Sequence, residues 1–327
     1  MPRADSPPPP RRLARFALLA ALVAAAAAAI AALRAGPTFT VHDSGAVVIS
    51  GASTGIGFSA AVALARAAPG LTVYAGVRRA ADAARVRAEA LRNLKPLELD
   101  VADEGSIVRA LAAVEAAGAP LVGVVNNAGL ARGPTAVEFH APGDARALFD
   151  VNFFGALRLT QLALPALRAS RGRVVFVSSI FGALAPPMGG IYSASKFALE
   201  AAADALRREV APLGVAVVIV RPGAVATPIF ASLTNASLAA AVRAASPAAR
   251  AYPHLHTPAD LANEVKIEAL AAPVAVTDAA ILAALRAPRP AARFTVANIV
   301  GVPATALEWA ARVLPDAALD FVLAQKA

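Results

Sequence analysis

Short apolar runs alternate with longer helical stretches from Ala46 onward. The runs fall at 46–50, 71–77, 96–99, 121–126, 173–178 and 215–221, and helix-length segments fall near 57–67, 81–93, 104–117, 144–169 and 191–213. Strands alternating with helices at this spacing predict a parallel sheet with helices on both faces. Val174-Val175-Phe176-Val177 is apolar at every position, the pattern of a strand covered on both sides. No internal repeat and no second domain is visible in the body. Residues 45–327 therefore read as one doubly wound α/β unit of the Rossmann type. Between residue 224 and about residue 291 the alternation gives way to mostly helical sequence, which predicts a helical lid over a substrate site.

The first 44 residues read as a separate unit. Residues 1–15 are polar, with Pro7 through Pro10 in a row and then Arg11, Arg12 and Arg15; residues 16–33 carry no charged or polar side chain, and Arg34 closes the run. As a helix rising ~1.5 Å per residue, the run would be roughly 27 Å long, close to the thickness of a bilayer's hydrocarbon core. Eleven of its eighteen residues are alanine, so it is only marginally apolar. A single-pass membrane anchor is the first reading, of endoplasmic-reticulum type in a eukaryote. The three arginines before the run would hold the N-terminus in the cytosol and place the body on the lumenal side. A cleaved signal peptide, with Ala29-Ile30-Ala31 as its small-residue site, and an organelle transit peptide are the alternatives. The sequon Asn235-Ala236-Ser237 bears on topology only if the body is lumenal.

Composition narrows the classes. Of 327 residues 58% are hydrophobic, largely as alanine, which calls for closely packed helices. The net charge of +9 comes almost wholly from scattered arginines, without the basic stripe and interleaved aromatics of a nucleic-acid surface. The absence of cysteine excludes disulfides, a thiolate nucleophile and a thiolate zinc site. His254 and His256 have no neighbours to complete a metal site, so no metal is expected. Phe153 and Phe154 read as core.

Two segments carry chemistry. Ser50-Gly51-Ala52-Ser53-Thr54-Gly55-Ile56-Gly57 follows the first strand and opens the first helix. Glycines there let the backbone turn tightly and approach a pyrophosphate at the helix N-terminus. The ribose-binding position, about 20 residues on, reads Gly76-Val77-Arg78-Arg79 with no acid before Asp82. A cation at Arg78 suits a 2′-phosphate, hence NADP over NAD. The alternative is that both arginines merely start a solvated helix. The second segment is Tyr192-Ser193-Ala194-Ser195-Lys196, with Ser179 upstream, in a chain with only three tyrosines and four lysines. Four-residue spacing puts phenol and ammonium on one helix face. The positive charge is expected to favour the phenolate and so fit Tyr192 for acid/base work.

Taken with Asn126-Asn127-Ala128-Gly129, Asn152 in Val151-Asn152-Phe153-Phe154-Gly155, and Pro222-Gly223, these motifs resemble the short-chain dehydrogenase/reductase family, in order from Ala46 to Thr227. Ser50 stands where that family usually has threonine, a swap that keeps the hydroxyl. The resemblance implies an NAD(P)-dependent oxidoreductase with Asn152, Ser179, Tyr192 and Lys196 as catalytic residues. Tyr192 would be the general acid in ketone reduction and base in alcohol oxidation. Ser179 would hold the substrate oxygen, Lys196 would tune the phenol and bond the nicotinamide ribose, and Asn152 would anchor a water in the proton route. Cofactor contacts would come from Gly51, Ser53, Thr54, Gly55, Ile56, Gly57, Arg78, Asp100, Val101, Asn127, Ala128, Gly129, Tyr192, Lys196, Pro222, Gly223 and Thr227.

Phe181, Met188, Phe230 and Leu233 flank the matched positions or lie in the expected lid, and are the candidate substrate contacts. The apolar sequence past Thr227 favours a lipophilic ketone or alcohol over a sugar or organic acid. The tail from Arg289 to Asp320 is similar to retinol and hydroxysteroid dehydrogenases, which implies a membrane-associated enzyme of lipid metabolism. Family members pair through the helices bearing Asn152 and Tyr192, which implies a homodimer. An NAD-dependent retinol- or steroid-type alcohol dehydrogenase is the alternative enzyme. A non-catalytic dinucleotide-sensing membrane scaffold is the reading from another class, and the intact Ser179, Tyr192 and Lys196 argue against it.

Overall fold

The computed structural model describes residues 37–131, 135–228, 251–252, 269–299 and 301–324, with Leu22, Ala25 and Ile267 besides. By its contacts the chain divides into Met1–Thr38 and Phe39–Ala327, and the sheet with its covering helices lies in the second unit. Apart from Leu22 and Ala25, the apolar run 16–33 lies outside the described residues, as do Phe230, Leu233, Asn235, His254 and His256. Among the described residues no helix is long and apolar enough to cross a membrane.

Seven strands form one sheet: β1 (Gly45–Ile49), β2 (Leu71–Val77), β3 (Leu94–Glu98), β4 (Leu121–Asn126), β5 (Arg173–Val177), β6 (Ala216–Pro222) and β7 (Arg293–Val296). Their order is β3-β2-β1-β4-β5-β6-β7, and every pairing is parallel. The central strands β1, β4, β5 and β6 are buried at every position, as their unbroken apolar runs require. The edge strand β3 mixes buried and exposed positions and accommodates Pro96, because one side of an edge strand needs no donor.

Helices cover both faces. On one, Val47 and Ile49 pack in a core with Ala60, Ala61 and Leu64 of α1 (Gly55–Ala67), Val86 of α2 (Ala80–Ala88), and Ile281 and Leu285 of α7 (Ala275–Arg286). On the other, Ala46 and Val48 join Ile107 of α3 (Glu104–Ala116), Leu159 and Leu167 of α5 (Ala156–Ser170), and Leu199 of α6 (Gly190–Val210). Each buried aliphatic side chain contributes about 1.5–3 kcal/mol, and the two-residue period of the strands divides them between the faces. Beyond β7 come a short antiparallel hairpin, β8 (Asn298–Ile299) and β9 (Val302–Pro303), and the helices α8 (Ala304–Val313) and α9 (Asp316–Ala324). β1 and β4 are neighbours, yet the chain leaves them in opposite directions, which opens a crevice at their carboxyl ends.

Three features depart from the sequence expectations. The helix expected over 144–169 is α4 (Pro142–Phe149), a π-helical turn (Asp150–Gly155) and α5, because a local widening leaves the apolar period on either side intact. Part of the expected lid, α7, is instead a layer helix packed on α1 and the sheet, so the strand–helix alternation resumes and ends in β7. Phe153 packs into the core as expected, but Phe154 is 54% exposed.

Candidate active site

The glycine turn between β1 and α1 is held by hydrogen bonds to the end of β4. The Ser50 hydroxyl accepts from the backbone N–H of Asn127 and of Ala128, each at 3.0 Å. The Asn127 side-chain amide donates in return to the carbonyls of Ser50 and Gly51, both at 3.0 Å. Gly51 has φ 64°, and a Cβ there would lie 2.6 Å from Ala128 Cα. A Cβ on Gly57 would overlap the Asn127 amide and lie 2.5 Å from Gly51 O. Only bare backbone fits. Thr54 makes no side-chain cap to α1, and the first turn of α1 holds no acid. The helix's leading N–H groups and positive dipole end are therefore left for an anion. This cradle fits the pyrophosphate of a dinucleotide. Ser53 is partly buried on the turn, while Ile56 packs against the core.

The other expected cofactor positions lie at or beyond the ends of β2, β3 and β6. At the end of β2, Arg79 donates twice to Asp82, both bonds at 3.0 Å. Arg78 is exposed and, among the described residues, forms no ion pair. After β3, Asp100 uses its carboxylate on the backbone of Ala102 at 3.0 Å, and Val101 is buried against Gly155. Pro222 ends β6, and Gly223 donates to Val296 O at 2.8 Å. The Thr227 side chain lies 3.4 Å from where a Cβ on Gly55 would stand, which sets it against the glycine turn.

The π-helical turn delivers Asn152 into the interior. Its amide donates to Leu130 O at 3.0 Å and to the Ser195 hydroxyl at 3.1 Å, and its oxygen accepts from Leu130 N at 2.7 Å. Ser195 passes the link on by donating to Tyr192 O at 2.7 Å. Gly129 faces both Asn152 and Lys196: its added Cβ would be 3.5 Å from Asn152 Oδ1 and 3.7 Å from Lys196 Nζ.

Tyr192 and Lys196 share one face of α6, with the ammonium 5.9 Å from the centre of the phenol ring. Ser179, at the end of β5, lies near the Tyr192 phenol and favours its ionised form, and its hydroxyl accepts from Phe181 N at 3.2 Å. Phe181 stands edge-on to the Tyr192 ring at 6.2 Å between centres. Met188 lies in the loop before α6, and its carbonyl accepts from Thr135 N at 3.0 Å. The structure thus brings Asn152, Ser179, Tyr192 and Lys196 together beside the glycine turn.

Electrostatics differ from the sequence expectation in one respect. Lys196 is expected to draw the phenol down, but burial pushes Tyr192 above its ordinary value and the nearby Ser179 hydroxyl only partly offsets it. Burial also lowers Lys196, to about 8, against the opposing pull of Glu200. The ammonium donates to Val177 O at 3.1 Å. Desolvation outweighs the ion–phenol attraction here because Lys196 is buried and the half-buried Tyr192 is closely surrounded by protein.

Sequence reasoning missed the residues behind this site. Ser178, Glu200 and Arg221 form a buried hydrogen-bonded group one turn of α6 beyond Lys196. An arginine inside the apolar run Val217-Val218-Ile219-Val220-Arg221 is a signal, since a buried cation requires a partner.

A family model described as short chain dehydrogenase matches residues 45–238. The chain is 40% identical over 186 residues to a 3-amino-tetrahydro-pyrrolizinone reductase of Xenorhabdus hominickii, covering 56% of this chain and 63% of that protein. It is 38% identical over 187 residues to human retinol dehydrogenase 5, covering 56% of this chain and 57% of that one. The match thus spans less than two thirds of either relative. Among solved structures, a short chain dehydrogenase from Burkholderia cenocepacia in complex with NADP aligns with a TM-score of 0.63 at 26% identity. That alignment covers 86% of this chain and 97% of the other.

Proposed function

The chain belongs to the short chain dehydrogenase family, and from that premise we propose that it is an NADP-dependent oxidoreductase interconverting a lipophilic ketone or aldehyde and its alcohol. The observation that carries the reading is the meeting of Ser179, Tyr192, Lys196 and Asn152 beside an anion-receptive glycine turn. The nicotinamide supplies a hydride in reduction and takes one up in oxidation. Gly51, Gly55 and Gly57 would admit the pyrophosphate, and Asn127, Ala128 and Gly129 would line the adenosine side.

Tyr192 gives its proton to the substrate oxygen in reduction. Burial keeps the phenol protonated, which suits a proton donor. Ser179 holds that oxygen beside the phenol, where negative charge develops. Lys196, lowered to about 8, can exchange a proton near neutral pH and so restore the one Tyr192 gives up. Asn152 keeps the 130 loop and Ser195 in place around it.

Arg78 is the cation we assign to the 2′-phosphate, because Arg79 is already committed to Asp82. The NADP complex of the Burkholderia protein supports this choice. Phe181, edge-on to Tyr192, and the resemblance to a retinol dehydrogenase support a lipophilic substrate. Residues 45–327 would be the catalytic domain, and the apolar run 16–33 its membrane anchor. Alkaline extraction of membranes tests the anchor, which is rejected if the full chain is released.

The reaction is tested by incubating the protein with NADPH or NADH and a panel of lipophilic ketones while following loss of reduced-nicotinamide absorbance. Turnover is expected, with Tyr192→Phe slower by about 10²–10⁴-fold. A folded wild-type sample inactive with both cofactors would sink the proposal.

A further inference from the structure

Two successive residues at the end of β5 are tied to α6, and the third stands near its tyrosine. Val177 O accepts from Lys196, the Ser178 hydroxyl donates to Glu200 Oε1 at 2.8 Å, and Ser179 lies near the Tyr192 phenol. The Ser178 tie has no part in the proposed reaction, yet it is the more elaborately built. Glu200 is 5% exposed and Arg221 2%. Arg221 Nε donates to Glu200 Oε1 at 2.8 Å, and Nη2 donates to Oε2.

From β7, Arg293 Nε reaches Glu200 Oε2 at 3.4 Å, while its Nη2 donates to Asp204 at 2.6 Å. Asp204 also takes Arg207 at 3.2 Å. On its far side Arg221 lies 2.8 Å from Glu308 of α8, which pairs with Arg312 at 2.8 Å and accepts from Thr295. The turn after Ser179 is moulded around the carboxylate: a Cβ on Gly182 would lie 2.6 Å from both Glu200 Oε1 and Ser178 Oγ. Leu307 and Ala311 of α8 pack on the same turn through Ile180 and Leu184.

Stability alone is a poor account of this arrangement. Desolvating such a pair costs several kcal/mol per ion, and a well-packed apolar pair often does as well or better. Placing the serine turn against the catalytic helix is a task that an apolar pair, lacking directional bonds, would not perform. We propose that Glu200 is a positioning residue: it fastens the strand end bearing Ser179 to the helix bearing Tyr192 and Lys196, and through Arg221 and Glu308 it makes α8 part of that fastening. The inference rests on the oxidoreductase reading above. It explains why Ser179 and Tyr192 stay in register although they lie on separate elements. Glu200 also opposes the loss of the Lys196 proton, so its removal acts on the lysine as well as on the turn.

The test uses the full chain and three variants: Glu200→Gln, Glu200→Gln/Arg221→Met and Glu308→Gln. The double variant leaves no stranded partner, and circular dichroism and melting establish that it is folded. For Glu200→Gln, kcat is expected to fall about 10–100-fold, the scale of a slight misplacement of reacting groups. KM for NADPH should stay within about threefold, since Glu200 does not border the glycine turn. The alkaline limb of the pH–rate profile should move to lower pH, because Glu200 no longer favours the charged lysine while Arg221 and Arg293 remain. Glu308→Gln is expected to give a smaller fall in kcat.

A second readout needs no turnover. With three tyrosines in the chain, phenolate absorbance titration, differenced against Tyr192→Phe, isolates Tyr192. It should titrate at higher pH in the double variant, where Ser179 is no longer kept beside the phenol it helps to ionise. A folded double variant with wild-type kcat and wild-type Tyr192 titration overturns the proposal. If the wild type reduces no ketone, the oxidoreductase reading fails, and the tyrosine titration alone then decides for or against Glu200.

Discussion

Gly57→Ala tests the cofactor cradle most directly. The new methyl would overlap the Asn127 amide and lie 2.5 Å from Gly51 O and 3.0 Å from Gly51 C. Those atoms are backbone or a side-chain amide held by two hydrogen bonds, so none can swing away freely. Either the turn shifts by the better part of an ångström or Asn127 gives up its bonds to Ser50 O and Gly51 O. Both routes misaim the N–H groups at the start of α1. A charge-assisted hydrogen bond is worth about 1.5–3 kcal/mol, so losing two costs roughly 3–6 kcal/mol. At about 1.4 kcal/mol per tenfold, dinucleotide affinity should weaken by about 10²–10⁴-fold. Isothermal titration of NADPH into wild type and variant reads this directly. Gly118→Ala is the control, because its added methyl meets nothing within 4 Å. Its φ of 79° makes it mildly strained wherever the cofactor sits. The reasoning fails if Gly57→Ala binds NADPH within threefold of wild type, or if Gly118→Ala weakens binding as much.

Arg78→Ala should weaken NADPH by about 10–100-fold, the worth of one charge-assisted contact, and leave NADH unchanged; equal loss for both cofactors would remove Arg78 from the 2′-phosphate. Turnover should fall as pH rises through about 8, where Lys196 loses its proton. The lowered lysine costs stability at neutral pH, and that cost is relieved as pH rises from about 8 towards the unfolded lysine's value, because there the unfolded chain binds the extra proton; a flat rate profile from pH 7 to 10 contradicts the role given to Lys196. Arg173 is 1% exposed, and its guanidinium, lowered by burial to about 10, bonds Thr40 O at 2.8 Å, Ala284 O at 2.8 Å and Ala287 O at 2.7 Å. Arg173→Met strands these carbonyls at about 1 kcal/mol each, so melting should drop by roughly 5–10 °C with kcat unchanged at low temperature; an unshifted melting curve refutes that account.

The sheet was legible because each central strand is an unbroken apolar run and each crossover a long amphipathic one. Strand β2 falls at the expected residues, Leu71–Val77. Strand β7 was not legible: four half-buried residues beginning with Arg293 carry no run, and the strand forms only because β6 offers an edge. The glycine turn and the Tyr192–Lys196 pair follow from spacing, since turns and helix faces impose short-range rules, whereas Asn152 and the role of Ser179 come only with the family resemblance. The site's electrostatics follow from neither, because Tyr192 and Lys196 are shifted first by burial, a property of the whole fold. Glu200 escaped notice for a related reason. In sequence it is one more helix acid four residues after a lysine, and only the packing of β6 and β7 beside α6 makes it the centre of a network.

The π-helical turn at Asp150–Gly155 has a consequence for length rather than composition. A helix advances about 100° per residue, and a π turn accommodates one residue beyond the regular count. Deleting a single residue between 150 and 155 would let α4 run smoothly into α5, with better local geometry. It would also rotate Asn152 by about a quarter turn relative to Leu159, Ala163 and Leu167, which fix α5 on the sheet. Either the core face or the asparagine keeps its place, not both. The surplus residue is thus a phase shift between two halves of one rod, and a lineage that lost it would keep the fold while losing the anchor of the 130 loop.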